Sequence, residues 1–413
     1  MCGAFLDLPA LEWLFAKKDL PTPCFIIDEK KLRENCRILD EVQRETGAKI
    51  LLALKAYAAW PTFRLLSSRF DGPLKGVCAS SVDEARLGRE DFGGEVHAFA
   101  AAWSDAEFAE LLKTADCVVF NSLGQWRKFR QSGLKANATF RKDSPIHFGL
   151  RLNPEHSEGA AAIYDPCSPG SRLGLRKKEL EKARPEDLAG ITGLHFHTLC
   201  EQNADSLERT LKAFEEKFGP WLKNLEWLNF GGGHHITRED YDLELLKKLL
   251  REWAGKTGAQ IYLEPGEAVA LNAGWLAAEV LDIVEADMPV AILDTSAACH
   301  MPDVLEMPYT PPVWQNANGP VQAGSPGEYA WNFRLAGKSC LAGDNIGEYS
   351  FKRRLKPGDR LIFGDMAIYS MVKTTTFNGL RLPSIALLHH SEKGYELEVI
   401  REFGYEDFWG RLG

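Results

Sequence analysis

Ile50-Leu51-Leu52-Ala53-Leu54-Lys55-Ala56-Tyr57 is an apolar, strand-like run that ends on one lysine. A charged group in such a run is costly to bury unless it is paired or chemically used. Two readings stay open on this stretch alone. Lys55 either leaves the core with its stem packed and its head in water, or it is an amine kept nucleophilic by desolvation, as Schiff-base enzymes require.

Seven further short apolar runs follow, at 76–79, 96–99, 117–121, 146–152, 191–197, 227–230 and 261–264. Stretches of helical periodicity lie between most of them, at 104–113, 122–131, 204–218 and 240–253. This alternation predicts parallel βαβ units, and eight of them predict an α/β fold with a closed, TIM-like (β/α)8 barrel. The segment 155–175 is rich in Gly, Pro and Ser and reads as an active-site loop. Upstream, 10–17 is a short helix, 24–28 a strand, and 29–46 a helix with Leu32, Cys36, Leu39 and Val42 on one face. After about residue 273 helices become scarce. Strand-like runs at 275–284, 289–294, 329–333, 360–363, 384–388 and 395–400 predict a β-rich, barrel- or sandwich-like domain. The expected division is therefore a barrel over 24–272 and a β-rich domain built from 1–23 and 273–413.

Composition narrows the partners. Forty-nine basic against 58 acidic residues give a formal charge of −9, which argues against a nucleic-acid partner and suits a cationic small molecule. Nine cysteines without metal-like spacing read as reduced thiols in a cytoplasmic protein. The N-terminus lacks a basic region before an apolar core, and no apolar run approaches the ~18 residues of a membrane span, so neither a signal peptide nor a membrane partner is expected.

Catalysis in such barrels takes place at the C-terminal ends of the strands. Polar groups gather there: Lys55, Ser80, Asn121, Arg151 and Asn153, His195 and His197, Asn229 before Gly231-Gly232-Gly233-His234-His235, and Glu264-Pro265-Gly266-Glu267. The three glycines let backbone N–H groups converge on an anion, with a following helix adding its positive end, or they form a tight turn and nothing more. A lysine and a phosphate cradle on one barrel face suggest pyridoxal 5′-phosphate, with Glu264 pairing with the pyridine nitrogen and His197 stacking on the ring. The four histidines 195, 197, 234 and 235 raise a metal reading, but none of the pairs has a partner ligand at recognised spacing, and no metal is assigned.

Taken in order, these motifs resemble the fold-type III, alanine-racemase-like pyridoxal-phosphate decarboxylases over nearly the whole chain. The resemblance implies Lys55 as the Schiff-base lysine, His197 as the ring-stacking histidine, Gly231, Gly232 and Gly233 as the phosphate turn, and Glu264 as the pyridinium partner. It also implies Cys340 as a catalytic cysteine, Asp344 as a substrate-side acid and Tyr369 as a tyrosine near the phosphate. Cys340 and Asp344 would come from the other subunit of a homodimer with shared active sites. Two departures stand out. Glu267 occupies a position where the family often has arginine, and Leu341-Ala342-Gly343 separates Cys340 from Asp344.

The segments 53–56, 197–201 and 264–267 resemble the branch of the family that acts on carboxynorspermidine and carboxyspermidine. The implied activity is a carboxy-lyase forming norspermidine or spermidine in polyamine biosynthesis. Such a substrate has an amino-acid head and an ammonium-bearing tail, which calls for carboxylates. Glu267, Asp303 and Asp344 are the expected substrate-binding acids, and Asp303 could equally cap a turn. Lys55 and Cys340 are the expected catalytic pair, Cys340 returning a proton to Cα. The alternatives are a diaminopimelate or arginine decarboxylase of the same fold and, from a different class, a non-catalytic pyridoxal-phosphate carrier.

Overall fold

The computed structural model describes residues 7–158 and 164–413, which form two compact units, Arg33–Val269 and the remainder. The first strand, β1 (Cys24–Asp28), belongs to the second unit. The next eight form a closed parallel barrel: β2 (Lys49–Ala53), β3 (Gly76–Ala79), β4 (Glu95–Phe99), β5 (Cys117–Phe120), β6 (His147–Arg151), β7 (Gly193–His195), β8 (Trp227–Asn229) and β9 (Gln260–Leu263). Closure is made by β2 on β9, with Lys49 opposite Tyr262 and Ile50 opposite Leu263.

Every barrel strand is buried over most of its length, which is why these segments read as continuous apolar runs rather than alternating ones. The interior is filled by Leu51, Cys117, Val119, Trp227 and Tyr262. Trp227 explains two strand glycines. A Cβ on Gly149 or Gly193 would come within 2.3 and 2.0 Å of its indole ring. Outside, helices Ala204–Phe218 and Leu243–Thr257 bury Leu207, Leu211 and Phe214, and Leu246, Leu250 and Trp253. Asn203 and Asp242 cap their N-termini. Two four-residue helices, Lys177–Leu180 and Pro185–Leu188, follow the expected loop, of which 159–163 lie outside the described residues.

The second unit holds a ten-stranded sheet. It comprises β1, β10 (Gly274–Val284), β11 (Val290–Leu293), β12 (Val313–Asn316), β13 (Pro320–Gln322), β14 (Trp331–Ala336), β15 (Asn345–Phe351), β16 (Arg360–Gly364), β17 (Ser384–Ser391) and β18 (Gly394–Arg401). β1 lies between β10, antiparallel, and β17, parallel. Alternate residues enter two cores: Cys24, Ile26, Trp275 and Ala277 pack with Leu11 and Leu14 of the helix Leu8–Ala16, and Phe25, Leu276 and Ala278 pack on the other side.

This pairing corrects the expected boundary. Residues 24–32 and 270–272 belong with the sheet, because β1 has its hydrogen-bond partners there. β12, β13 and β15 were not anticipated. β12 and β13 form a hairpin turning on Asn318-Gly319, both with positive φ, a pair that itself signals such a turn.

Candidate active site

β2 ends at Ala53, and Leu54–Ala56 turn away at the C-terminal end of the barrel. The Ala53 N–H donates to the Pro265 carbonyl (3.2 Å) and the Leu54 N–H to the Cys78 carbonyl (3.1 Å), pinning this turn to the loop after β9 and to β3. A Cβ on Gly266 would stand 2.4 Å from that of Ala56, so glycine lets Glu264-Pro265-Gly266 lie against the lysine turn. Leu54 and Ala56 are fully buried, but Lys55 is exposed. Of the two readings of the run, the side chain follows the one with its head in water: the strand stops two residues before Lys55 and the turn carries it out of the core.

Glu264 is buried at the end of β9. Its Oε1 accepts from Asn229 Nδ2 (2.6 Å) and its Oε2 lies 3.2 Å from His195 Nε2. Burial works to raise the carboxyl, but His195, His97 and Asn229 outweigh it and hold Glu264 down at about 2. Burial lowers the pKa of His195, while the Glu264 carboxylate works to raise it. The result is a buried carboxylate bonded to Asn229 and His195, with no lysine or arginine in ion-pair contact among the described residues.

The glycine turn lies beside it. Gly231 and Gly233 have positive φ, 71° and 82°. Added Cβ atoms at Gly231, Gly232 and Gly233 would fall 2.4 Å from the Phe196 carbonyl oxygen, 2.3 Å from that of Glu264 and 1.9 Å from that of Leu199. Backbone therefore walls the turn on every side. The helix expected to follow directly begins only at Leu243, so its dipole is not part of the turn. His197 Nδ1 accepts the Gly232 N–H (3.0 Å), and the Arg151 guanidinium donates to the His197 carbonyl (2.9 Å). Burial, then Lys55 and Arg151, keep His197 well below the usual histidine range and hence neutral. Arg151 stacks over Phe99 at 4.6 Å, and Phe99 stacks on His195 at 5.7 Å.

These residues fit pyridoxal phosphate. The glycine turn offers backbone without side chains of its own for the phosphate, Glu264 a buried carboxylate for the ring nitrogen, His197 a ring for the cofactor face, and Lys55 an amine. Sequence reasoning placed His195, Asn229 and Arg151 at strand ends but gave them no role; here they hold Glu264 and His197 in place.

The expected substrate acids separate. Glu267 pairs with His235 (2.8 Å), and Glu201 brings a third ligand atom, all three within 4.8 Å of one another. The remaining assigned residues lie in the sheet unit. Asp303 is paired with Lys373, which also holds Glu306, so one ammonium is shared by two carboxylates. Asp344 is buried and accepts from Ser296 Oγ (2.8 Å), Ser339 Oγ (2.6 Å) and the N–H groups of Ala298 and Ser339. These bonds tie it to the loop carrying Cys340 and bring no counter-charge to it. Cys340 is exposed, its N–H held by Asn378 Oδ1 (2.8 Å). Tyr369 sits in the turn after β16 with φ 46°.

Comparison with known proteins gives one consistent result. Residues 24–367 match the family described as pyridoxal-dependent decarboxylase, C-terminal sheet domain. A carboxynorspermidine/carboxyspermidine decarboxylase of Campylobacter jejuni is 44% identical over 88% of this chain and 91% of its own. A carboxyaminopropylagmatine decarboxylase of Synechocystis is 42% identical over 95% and 96%. The crystal structure of the Campylobacter jejuni carboxynorspermidine decarboxylase complexed with norspermidine superposes with a TM-score of 0.81 at 42% identity, covering 95% of this chain and all of that one.

Proposed function

Because the chain belongs to the pyridoxal-dependent decarboxylase family, we propose that it removes the carboxylate from a carboxylated aminopropyl polyamine, of the carboxynorspermidine and carboxyspermidine type. The observation that carries the chemistry is Glu264, a buried carboxylate at the strand end with no lysine or arginine in ion-pair contact among the described residues. The identity to the Campylobacter jejuni relative carries the substrate class.

Bound pyridoxal phosphate supplies a sink for the electron pair released when the carboxylate departs. Lys55 presents the anchoring amine. Glu264, held ionised by Asn229 and His195, keeps a proton on the ring nitrogen. His197, tethered to Gly232, covers the ring face. Glu267 and Glu201 offer negative charge for the cationic substrate tail. We assign Cys340 the return of a proton to the substrate carbon. That role goes with a homodimer in which Cys340 serves the partner's barrel, and its exposure supports this. A cytoplasmic location is proposed from the free thiols of the eight described cysteines.

The Synechocystis relative supports a second reading, carboxyaminopropylagmatine, whose tail would end in a guanidinium. Carbon dioxide release from carboxynorspermidine, carboxyspermidine, carboxyaminopropylagmatine, diaminopimelate and arginine, with the loaded enzyme, separates the two. Preference for the first pair is expected. Preference for the agmatine compound moves the assignment to the second reading, and turnover of diaminopimelate or arginine alone overturns both.

A further inference from the structure

The Asn229 amide makes two bonds of opposite sense. Nδ2 donates to Glu264 Oε1 at 2.6 Å, and Oδ1 accepts the Gly231 N–H at 2.8 Å. The orientation is unambiguous, since a backbone N–H can only donate and the ionised carboxylate can only accept. Asn229 is fully buried, the last residue of β8, and the turn begins two residues later. One side chain thus joins the carboxylate that faces the ring nitrogen to the turn that cradles the phosphate. We propose that Asn229 is a positioning residue that holds the nitrogen-binding and phosphate-binding ends of the cofactor site in fixed register. The inference rests on the pyridoxal-phosphate reading of this site.

The chemistry makes asparagine hard to replace. Alanine leaves the Gly231 N–H and one carboxylate oxygen without their bond. Aspartate keeps the shape and can still accept from Gly231, but it cannot donate to Glu264 while ionised. It sets a second carboxylate at hydrogen-bond distance from the first, and such a pair shares one proton. The ionisable groups facing Glu264 are His195, His97, Arg151, Cys78 and Cys117. None of them is positioned by this swap.

The test is cofactor affinity, measured by absorbance titration of the apo-protein with pyridoxal phosphate. A hydrogen bond to a charged group is worth about 10- to 100-fold in an equilibrium constant, and Asn229→Ala is expected to weaken affinity by that factor. Because part of its effect runs through Glu264, Asn229→Ala should cost clearly less in the Glu264→Gln background than in wild type, independent losses being multiplicative. Asn229→Asp, which preserves packing, should bind weakly at neutral pH and recover as pH falls, because the shared proton restores the missing donor. A purely structural role would lower thermal stability without that recovery. Wild-type affinity in both single variants, or multiplicative losses in the double variant, would overturn the inference. A wild-type protein that binds no cofactor would instead overturn the functional reading on which it rests.

Discussion

The barrel carries a buried or half-buried carboxylate at each end, and the two are handled differently. Glu95 opens β4 at the N-terminal end. It is paired with Lys49 and bonded to Tyr262 Oη (2.8 Å) and His97 Nε2 (3.2 Å). Burial would raise it, but His97 and Lys49 bring it down to about 2. Glu264 at the C-terminal end reaches the same value through His195, His97 and Asn229, with no lysine or arginine in pairing range among the described residues. The Glu95 network is complete within the protein. The Glu264 network has no lysine or arginine in pairing range, and on the proposed reading the cofactor's ring nitrogen supplies that charge. An unmatched buried anion is costly and is kept where it is used.

Substitutions sharpen this contrast. Lys55→Ala should have the largest effect, at least about a 1000-fold loss of carbon dioxide release, together with loss of the lysine-linked absorbance band; an intact band would remove Lys55 from the site. Glu264→Gln should follow, with kcat down about 100-fold in a protein that still folds. Glu95→Gln should do the reverse, leaving kcat within about threefold while lowering stability by about 1–3 kcal/mol in denaturant unfolding at neutral pH. The pH dependence has a definite sign. Glu95 titrates near 2 in the fold against 4.5 ordinarily, so its contribution is full above 4.5 and is lost as pH falls from 4.5 toward 2. Glu95→Gln should flatten that part of the acid-unfolding curve, and an unchanged slope would show that Glu95 does not carry it. Glu267→Gln should raise KM for the polyamine about 3- to 10-fold with cofactor affinity unmoved; the opposite pattern would place Glu267 at the cofactor.

The same contrast marks how far reasoning from residues reaches. The barrel was legible because its strands are buried on both sides and its helices are amphipathic, so both periods show in the chain. Lys55, His197, the three glycines and Glu264 were legible as a set at one end of those strands. The Glu95 cluster was not, because Lys49 and Tyr262 are 213 residues apart and meet only when β2 closes on β9. The domain boundary was misplaced because Cys24–Asp28 has the composition of any buried strand, and only pairing reveals its sheet. The partners of Asp303 and Asp344 were not legible, because a sequence shows a charge but not the Lys373 or the serines that bond it.

The central claim is that Glu264 is incomplete until the cofactor supplies its counter-charge, and cofactor-induced stabilisation tests this most directly. The gain in Tm on adding saturating pyridoxal phosphate would be compared among wild type, Glu95→Gln and Glu264→Gln. The account expects equal gains for wild type and Glu95→Gln and a clearly smaller gain for Glu264→Gln. A full gain in Glu264→Gln would contradict it, since the ring nitrogen would then be held without that carboxylate.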